Sequence, residues 1–213
     1  MQTDIQILEL SAAVKGSETY VFVGRRDHLL SDAVFNVLPK DVSEIWDTMV
    51  DACSPGDAGK STETWRTSEG PRKIAVGVLP EVCSRHNSPA RPHSITQLVK
   101  GMIPGDGTTT VILAIEEADH GIAAACAVAK ALPAYSRKTS AQPKHRRINI
   151  ALVSDDDKDC DLETIQVQLE ATRFGARLVD TPASELHTLA FVELARETAA
   201  NFGIEISVLE GES

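Results

Sequence analysis

The chain has 213 residues, 21 Lys and Arg against 31 Asp and Glu, and 42% of its residues are hydrophobic. That composition excludes disorder over most of the length, and the net charge of −10 makes DNA and other polyanions poor partners. No apolar run approaches the ~18 residues of a membrane span, and residues 1–6 have no basic or apolar signal-peptide region.

Cys53, Cys83, Cys126 and Cys160 are scattered, without a CxxC pair. Such usage predicts reduced thiols in the cytoplasm rather than a disulfide framework. Charge is uneven along the chain. Residues 1–154 balance 17 acids with 17 bases, whereas residues 155–213 hold 14 acids and 4 bases, which predicts a boundary near Asp155.

Residues 5–10 and 19–23 read as short strands, separated by a turn at Lys15-Gly16-Ser17-Glu18. A helix is predicted over 27–38, ending at Pro39, and a second over 41–52 with Val42, Ile45, Trp46 and Met49 at helical spacing. Residues 54–59 form a loop by composition, 73–79 alternate as a strand stopped by Pro80, and 94–102 place Ile95, Leu98, Val99 and Met102 on one helical face. Pro104-Gly105-Asp106-Gly107 turns the chain into a strand over 108–115. Asp119 is the candidate N-cap of a small-residue helix over 121–132, closed by Pro133. Residues 134–145 make a polar, basic loop, 148–153 a strand, and Ser154-Asp155-Asp156-Asp157 ends it.

Strands alternating with helices predict an α/β domain with a mixed, mostly parallel sheet and helices on both faces. Beyond Asp161, Leu162, Ile165, Leu169 and Ala176 form one stripe, and Val167, Phe174 and Leu178 a second. A helix that apolar is expected between two bodies. Pro182 breaks it, and another helix follows from Thr188, a candidate N-cap, to Asn201, with Leu189, Val192, Ala195, Ala199 and Phe202 inward and Gly203 at its C′ position. Residues 204–209 alternate like a strand, so this last helix–strand unit reads as the opening of a second domain.

Chemistry is sparse. Gly59-Lys60-Ser61-Thr62 ends like a phosphate-binding loop, but Ser54 stands where the motif needs its first glycine and a helix precedes instead of a strand, so a flexible polar loop is expected. Gly105-Asp106-Gly107 resembles part of a dinucleotide fingerprint yet opens a strand, with no helix N-terminus for a pyrophosphate. Cys83, His86 and His93 have acceptable zinc spacing, with Cys160 and His145 as further ligands only if the fold delivers them. Cys83–His86 as a nucleophile pair lacks an orienting third group; a hydrogen-bonded loop is the expectation. The run from Asp155 to Asp159 lacks the glycine and glutamate of a calcium loop and reads as a solvated turn. Lys144, Arg146 and Arg147 make a small basic patch balancing it.

Two segments carry a resemblance. Ala176-Arg177-Leu178-Val179-Asp180-Thr181-Pro182-Ala183-Ser184-Glu185-Leu186-His187-Thr188, followed by Phe191 and Ala195-Arg196-Glu197, resembles the interdomain junction of the leucyl aminopeptidase family of metallopeptidases. Leu79-Pro80 and Ser84-Arg85-His86-Asn87-Ser88-Pro89 are similar to a segment of its eukaryotic aminopeptidase-like branch. Ser184 replaces a usual Asn, and Leu189 stands where many members have Pro.

The resemblance implies a two-domain, hexameric, cytoplasmic exopeptidase. Its N-terminal α/β domain is macro-domain-like and non-catalytic; its C-terminal domain holds two divalent ions, zinc or manganese, through Lys, Asp and Glu residues that match no position here. Asp180, Thr181 and Pro182 match the linker only. Residues 1–158 are thus expected to be a non-catalytic domain, 159–182 a linker helix, and 183–213 the start of a catalytic domain. No catalytic, cofactor-binding or metal-ligating residue is assigned to this chain. Its expected role is regulation and assembly, with its own catalytic domain, further copies and, through the parent, peptides as partners, and neither membrane nor nucleic acid. The alternative is a stand-alone macro-like module that binds a nucleotide or ADP-ribose through residues 105–110 and 84–88. A thiol hydrolase built on Cys83 and His86 is a third reading.

Overall fold

The computed structural model describes residues 2–56, 58–135, 145–154, 160–209 and 211. Among these, six strands form one sheet: β1 (Gln2–Ile7), β2 (Thr19–Gly24), β3 (Lys60–Trp65), β4 (Lys73–Val78), β5 (Gly107–Ile115) and β6 (His145–Ser154). Their spatial order is β1-β6-β5-β2-β4-β3. All neighbours pair in parallel except β3, which runs antiparallel to β4. The mixed, mostly parallel sheet expected from the sequence is therefore present.

Parallel strands covered on both faces read as continuous apolar runs, and alternate residues divide between two cores. Val21, Val23, Ala75, Val111, Leu113, Ile148 and Ile150 face α6 (Pro92–Met102), α7 (Gly121–Ala131) and α8 (Leu162–Asp180). Tyr20, Phe22, Ile74, Val76, Val78 and Ile112 face the short helices α2 (Arg26–Leu29), α3 (Asp32–Phe35), α4 (Lys40–Ser43) and α5 (Trp46–Asp51). Between β1 and β2 lies α1 (Leu10–Ala13), whose Ala13 carbonyl accepts from Thr110 Oγ1 at 2.5 Å, Asn149 Nδ2 at 3.1 Å and Ser17 Oγ at 3.3 Å. These bonds satisfy polar side chains that the sheet buries.

Several local expectations give way. The strand expected over 5–10 ends at Ile7, and Leu10 begins a helix. The helices expected over 27–38 and 41–52 are each broken into two short pieces. Their apolar spacing was sound, but the chain must follow a twisted sheet. Trp46 Nε1 donates to Leu29 O at 2.8 Å, satisfying a carbonyl at the end of α2. Asp119 lies inside a 3₁₀ turn, Ala118–His120, and caps nothing. The polar stretch after Gly59 is edge strand β3 rather than a flexible loop; its one pairing, with β4, requires no apolar alternation.

Helix α8 starts at a capped end not expected from the sequence, Asp161 accepting from Thr164 N at 3.0 Å. Ile165 and Leu169 join the α6–α7 core, whereas Val167 and Phe174 of the second stripe are exposed. Helix α9 (Thr188–Phe202) is capped by His187, not Thr188: the His187 Nδ1 accepts from Ala190 N at 3.4 Å. Gly203 does end it in the left-handed conformation. Of the expected inward residues only Ala199 is buried; Leu189 is 69% and Phe202 75% exposed. Residues 204–209 form no strand, because no ladder partner lies beside them among the described residues. No described helix is long and apolar enough to cross a membrane.

Candidate functional site

In an open α/β sheet, ligands bind beyond the carboxyl ends of the parallel strands. Here that position carries a charged cluster. Arg25 follows β2, Glu116 follows β5, and Glu81 and Arg91 lie on the connection from β4 to α6. Glu116 Oε1 accepts from Arg25 Nη1 at 3.0 Å and from Arg91 Nη1 at 2.7 Å. Arg25 also donates to Glu81 Oε2 through Nε and Nη2, at 3.2 and 3.1 Å.

Arg91 is only 6% exposed and adopts φ 49° at the N-cap of α6, rare for a residue with a Cβ. Its guanidinium holds that conformation by donating also to Pro89 O at 2.5 Å and Glu81 O at 3.1 Å. Burial alone would raise the Glu116 carboxyl; the hydrogen bonds and charges of Arg25 and Arg91 outweigh it and hold the group below the usual carboxylate range. The same hydrogen bond to Glu116 raises Arg25 further.

The cluster ties down the loop that carries Ser84-Arg85-His86-Asn87-Ser88-Pro89. The Cys83 thiol is held within it, donating toward Ser88 O at 3.3 Å and Asn87 O at 3.5 Å. His86 Nε2 accepts from Arg85 Nε, and His93 Nε2 meets Ser94 Oγ. The proposed Cys83–His86 nucleophile pair therefore does not form: each side chain faces its own neighbours. Nor are Cys83, His86 and His93 joined by Cys160, which approaches Ala118 O, or by His145, which sits on β6 against Asp4 at 3.0 Å.

Both glycine motifs are turns with steric reasons. Gly59 has φ +89°, and a Cβ there would stand 2.9 Å from Val78 O, so the glycine admits β3 beside β4 and cradles no phosphate. Gly107 has φ +80° and opens β5, where a Cβ would crowd the Glu18 carboxylate at 3.0 Å. It stands at the amino end of β5, and residues 84–88 follow the carboxyl end of β4. The two loops of the macro-like reading are thus at opposite ends of the sheet. The crevice by Arg25, Arg91 and Glu116 encloses about 20 Å³, room for one water but far from a ligand pocket of ~300 Å³ or more. The macro-like alternative has no support.

The expected basic patch also separates. Arg146 turns inward and is buried, and burial lowers its affinity for a proton; Arg147, its neighbour on an alternating strand, is exposed. Lys144 and the acidic run 155–159 lie outside the described residues. The charged cluster was missed by motif reading because its members are far apart in sequence. Arg25 and Glu116 do each follow the end of a legible strand, and that position is a usable signal.

A second feature is apolar. Phe174 and Leu178 of α8 and Phe191, Leu194, Ala199 and Ile204 around α9 line an open groove of about 310 Å³.

The family model for M17 aminopeptidase N-terminal domain 2 matches residues 18–141. A probable aminopeptidase NPEPL1 of Mus musculus is 34% identical over 144 residues, 64% of this chain and 27% of the relative. The solved leucyl aminopeptidase of Leishmania major, in complex with actinonin, superposes with a TM-score of 0.81 at 20% identity over 97% of this chain and 41% of its own. The Caenorhabditis elegans leucine aminopeptidase structure gives 0.76 at 24% identity, over 96% and 42%. At those identities the structures speak for the fold alone. The chain spans about a quarter to a third of the length of the curated relatives it matches. From the match over residues 18–141, the chain belongs to the M17 aminopeptidase family, as the N-terminal domain of a leucyl aminopeptidase-like protein.

Proposed function

We propose that this chain is the regulatory and assembly portion of a cytoplasmic metallo-exopeptidase that releases N-terminal amino acids from peptides. Residues 1–158 would be the non-catalytic domain, 159–182 the linker and 183–213 the first part of the catalytic domain. The observation that carries this reading is the pairing of family match with span: the fold superposes over nearly the whole of this chain and under half of the Leishmania enzyme.

Among the described residues no group of three or more His, Cys, Asp or Glu is arranged to hold a metal ion. These residues do not fit a two-metal centre of zinc or manganese. In the proposed parent that centre belongs to the part of the relatives that this chain does not span. The partner we assign first is that catalytic portion, seated on the apolar groove between α8 and α9, where Phe174 and Phe191 are exposed. Assembly as a hexamer belongs to the same reading.

The test is the intact mass of the endogenous protein, detected with an antibody raised against this chain, followed by leucyl-anilide hydrolysis by the captured material. A mass far above 22.9 kDa and chelator-sensitive hydrolysis are expected. A 22.9 kDa product without hydrolysis would overturn the proposal.

A further inference from the structure

The carbonyl end of α7 gathers contacts from three later points of the chain. Arg173, midway along α8, donates through Nη1 to Leu132 O at 2.7 Å and more distantly to Ala129 O, and through Nη2 to Pro133 O at 3.4 Å. A guanidinium there meets the carbonyls that a helix C-terminus leaves without intrahelical partners. Asp180, the last residue of α8, accepts from Ala134 N at 3.4 Å. Tyr135 then donates its hydroxyl to Glu185 Oε1 at 2.6 Å, across 50 positions of sequence.

Between these anchors the backbone turns sharply. Thr181 closes α8 by donating both N–H and Oγ1 to Arg177 O. Glu185 N and Leu186 N both donate to Pro182 O, at 2.9 and 3.0 Å, and His187 then caps α9. The turn holds no apolar core of its own: none of residues 181–187 is buried. Its orientation against the sheet body must come from bonds at its ends. Arg173 and Asp180 fix the side where the chain enters it, and Tyr135 fixes the turn itself.

We propose that Tyr135 and Glu185 form a latch that holds the turn at residues 181–187, and with it the start of α9, against the carbonyl end of α7. A phenol donating to a carboxylate makes a short, charge-assisted bond, and this one spans 2.6 Å between the end of α7 and the exposed turn. The latch stands apart from the peptidase reading, since it concerns how two parts of this chain are held together. It would also set the direction in which the α8–α9 groove opens.

Hydrogen exchange of the Glu185, Leu186, Ala190 and Phe191 amides tests this in the full chain, with β5 amides as the internal reference. Y135F and E185A are each expected to speed exchange at those four amides on the order of tenfold, the ratio that one hydrogen bond to a charged acceptor sustains, while β5 is unchanged. The Y135F/E185A double variant should fall short of the sum of the two single effects, because both remove the same bond. E185Q, which keeps an acceptor, should stay closer to the wild type. Unchanged exchange in the single variants, additive effects in the double variant, or equal acceleration in β5 would each overturn the latch.

Discussion

Replacing Glu116 by Ala removes the one carboxylate shared by Arg25 and Arg91. Two charge-assisted hydrogen bonds disappear, at 3.0 and 2.7 Å, and Arg91 stays buried with only carbonyl acceptors. A hydrogen bond to a charged group contributes about 1.5–3 kcal/mol, and losing one partner of a fully buried ion pair costs about 3–5 kcal/mol. The Glu116 side chain is 25% exposed and Arg25 retains Glu81, so the lower part of that range applies, about 2–3 kcal/mol. With a urea slope of about 2 kcal/mol per M, the unfolding midpoint should fall by about 1 M. E116Q, which keeps an acceptor but not the charge, should fall by roughly half as much.

The acid dependence follows from the sign of the shift. A carboxyl lowered in the folded state contributes stability above its unfolded pKa, about 4.3, and loses it as pH falls through the folded value. The gap between wild type and E116Q should therefore be full at pH 7 and narrow below about pH 4. Urea titrations followed by tryptophan fluorescence at both pH values measure it. A midpoint change in E116A below about 0.2 M at pH 7, or a gap of equal size at pH 3, would refute the assignment of Glu116 as the charged hub.

Two further outcomes concern the face of the sheet covered by α2 to α5. Trp46 is fully buried, meets Phe22 edge-on with centroids 4.9 Å apart, and donates to Leu29 O; W46A should cost about 3–5 kcal/mol and W46F about 1–3 kcal/mol, because the carbonyl loses its donor. Thermal unfolding ranks the two variants, and a W46F variant as stable as the wild type would remove the indole hydrogen bond from the account. Asp41, hydrogen-bonded first by Arg66 and then by Ser68, has its carboxyl lowered to about 2. Its contribution is present above an unfolded pKa of about 3.9 and lost as pH falls toward 2. Tm against pH should accordingly be flatter for D41N than for the wild type between pH 2 and 4, and parallel curves would count against the Asp41–Arg66 bond.

Much of the sheet was legible in the sequence. β2, β4, β5 and β6 are buried on both faces, and burial of that kind writes an apolar run whatever the neighbouring strand is. Helices α6 and α8 showed their inward stripes because one face of each packs on the sheet body. β3 was illegible, since an edge strand with polar residues obeys no hydrophobic period. The break between α2 and α3 was hidden for another reason: Leu29 and Val34 sit at helical spacing whether or not the helix is continuous. The same holds for α9, where Leu189 and Phe202 match an amphipathic pattern but cover nothing among the described residues.

By itself the sequence determined the fold class, the order of the principal elements and the family resemblance, because these follow from hydrophobic period, turn residues and local motifs. Only the tertiary structure decided that Arg25, Glu81, Arg91 and Glu116 meet at the ends of three strands. It likewise decided that the crevice there is too small for a ligand, that Cys83 and His86 make no hydrogen bond to each other, and that Tyr135 reaches Glu185. Each of these is a contact between residues distant in sequence or a statement of which way a side chain points. Such contacts depend on strand order and helix direction, which no local pattern of residues encodes.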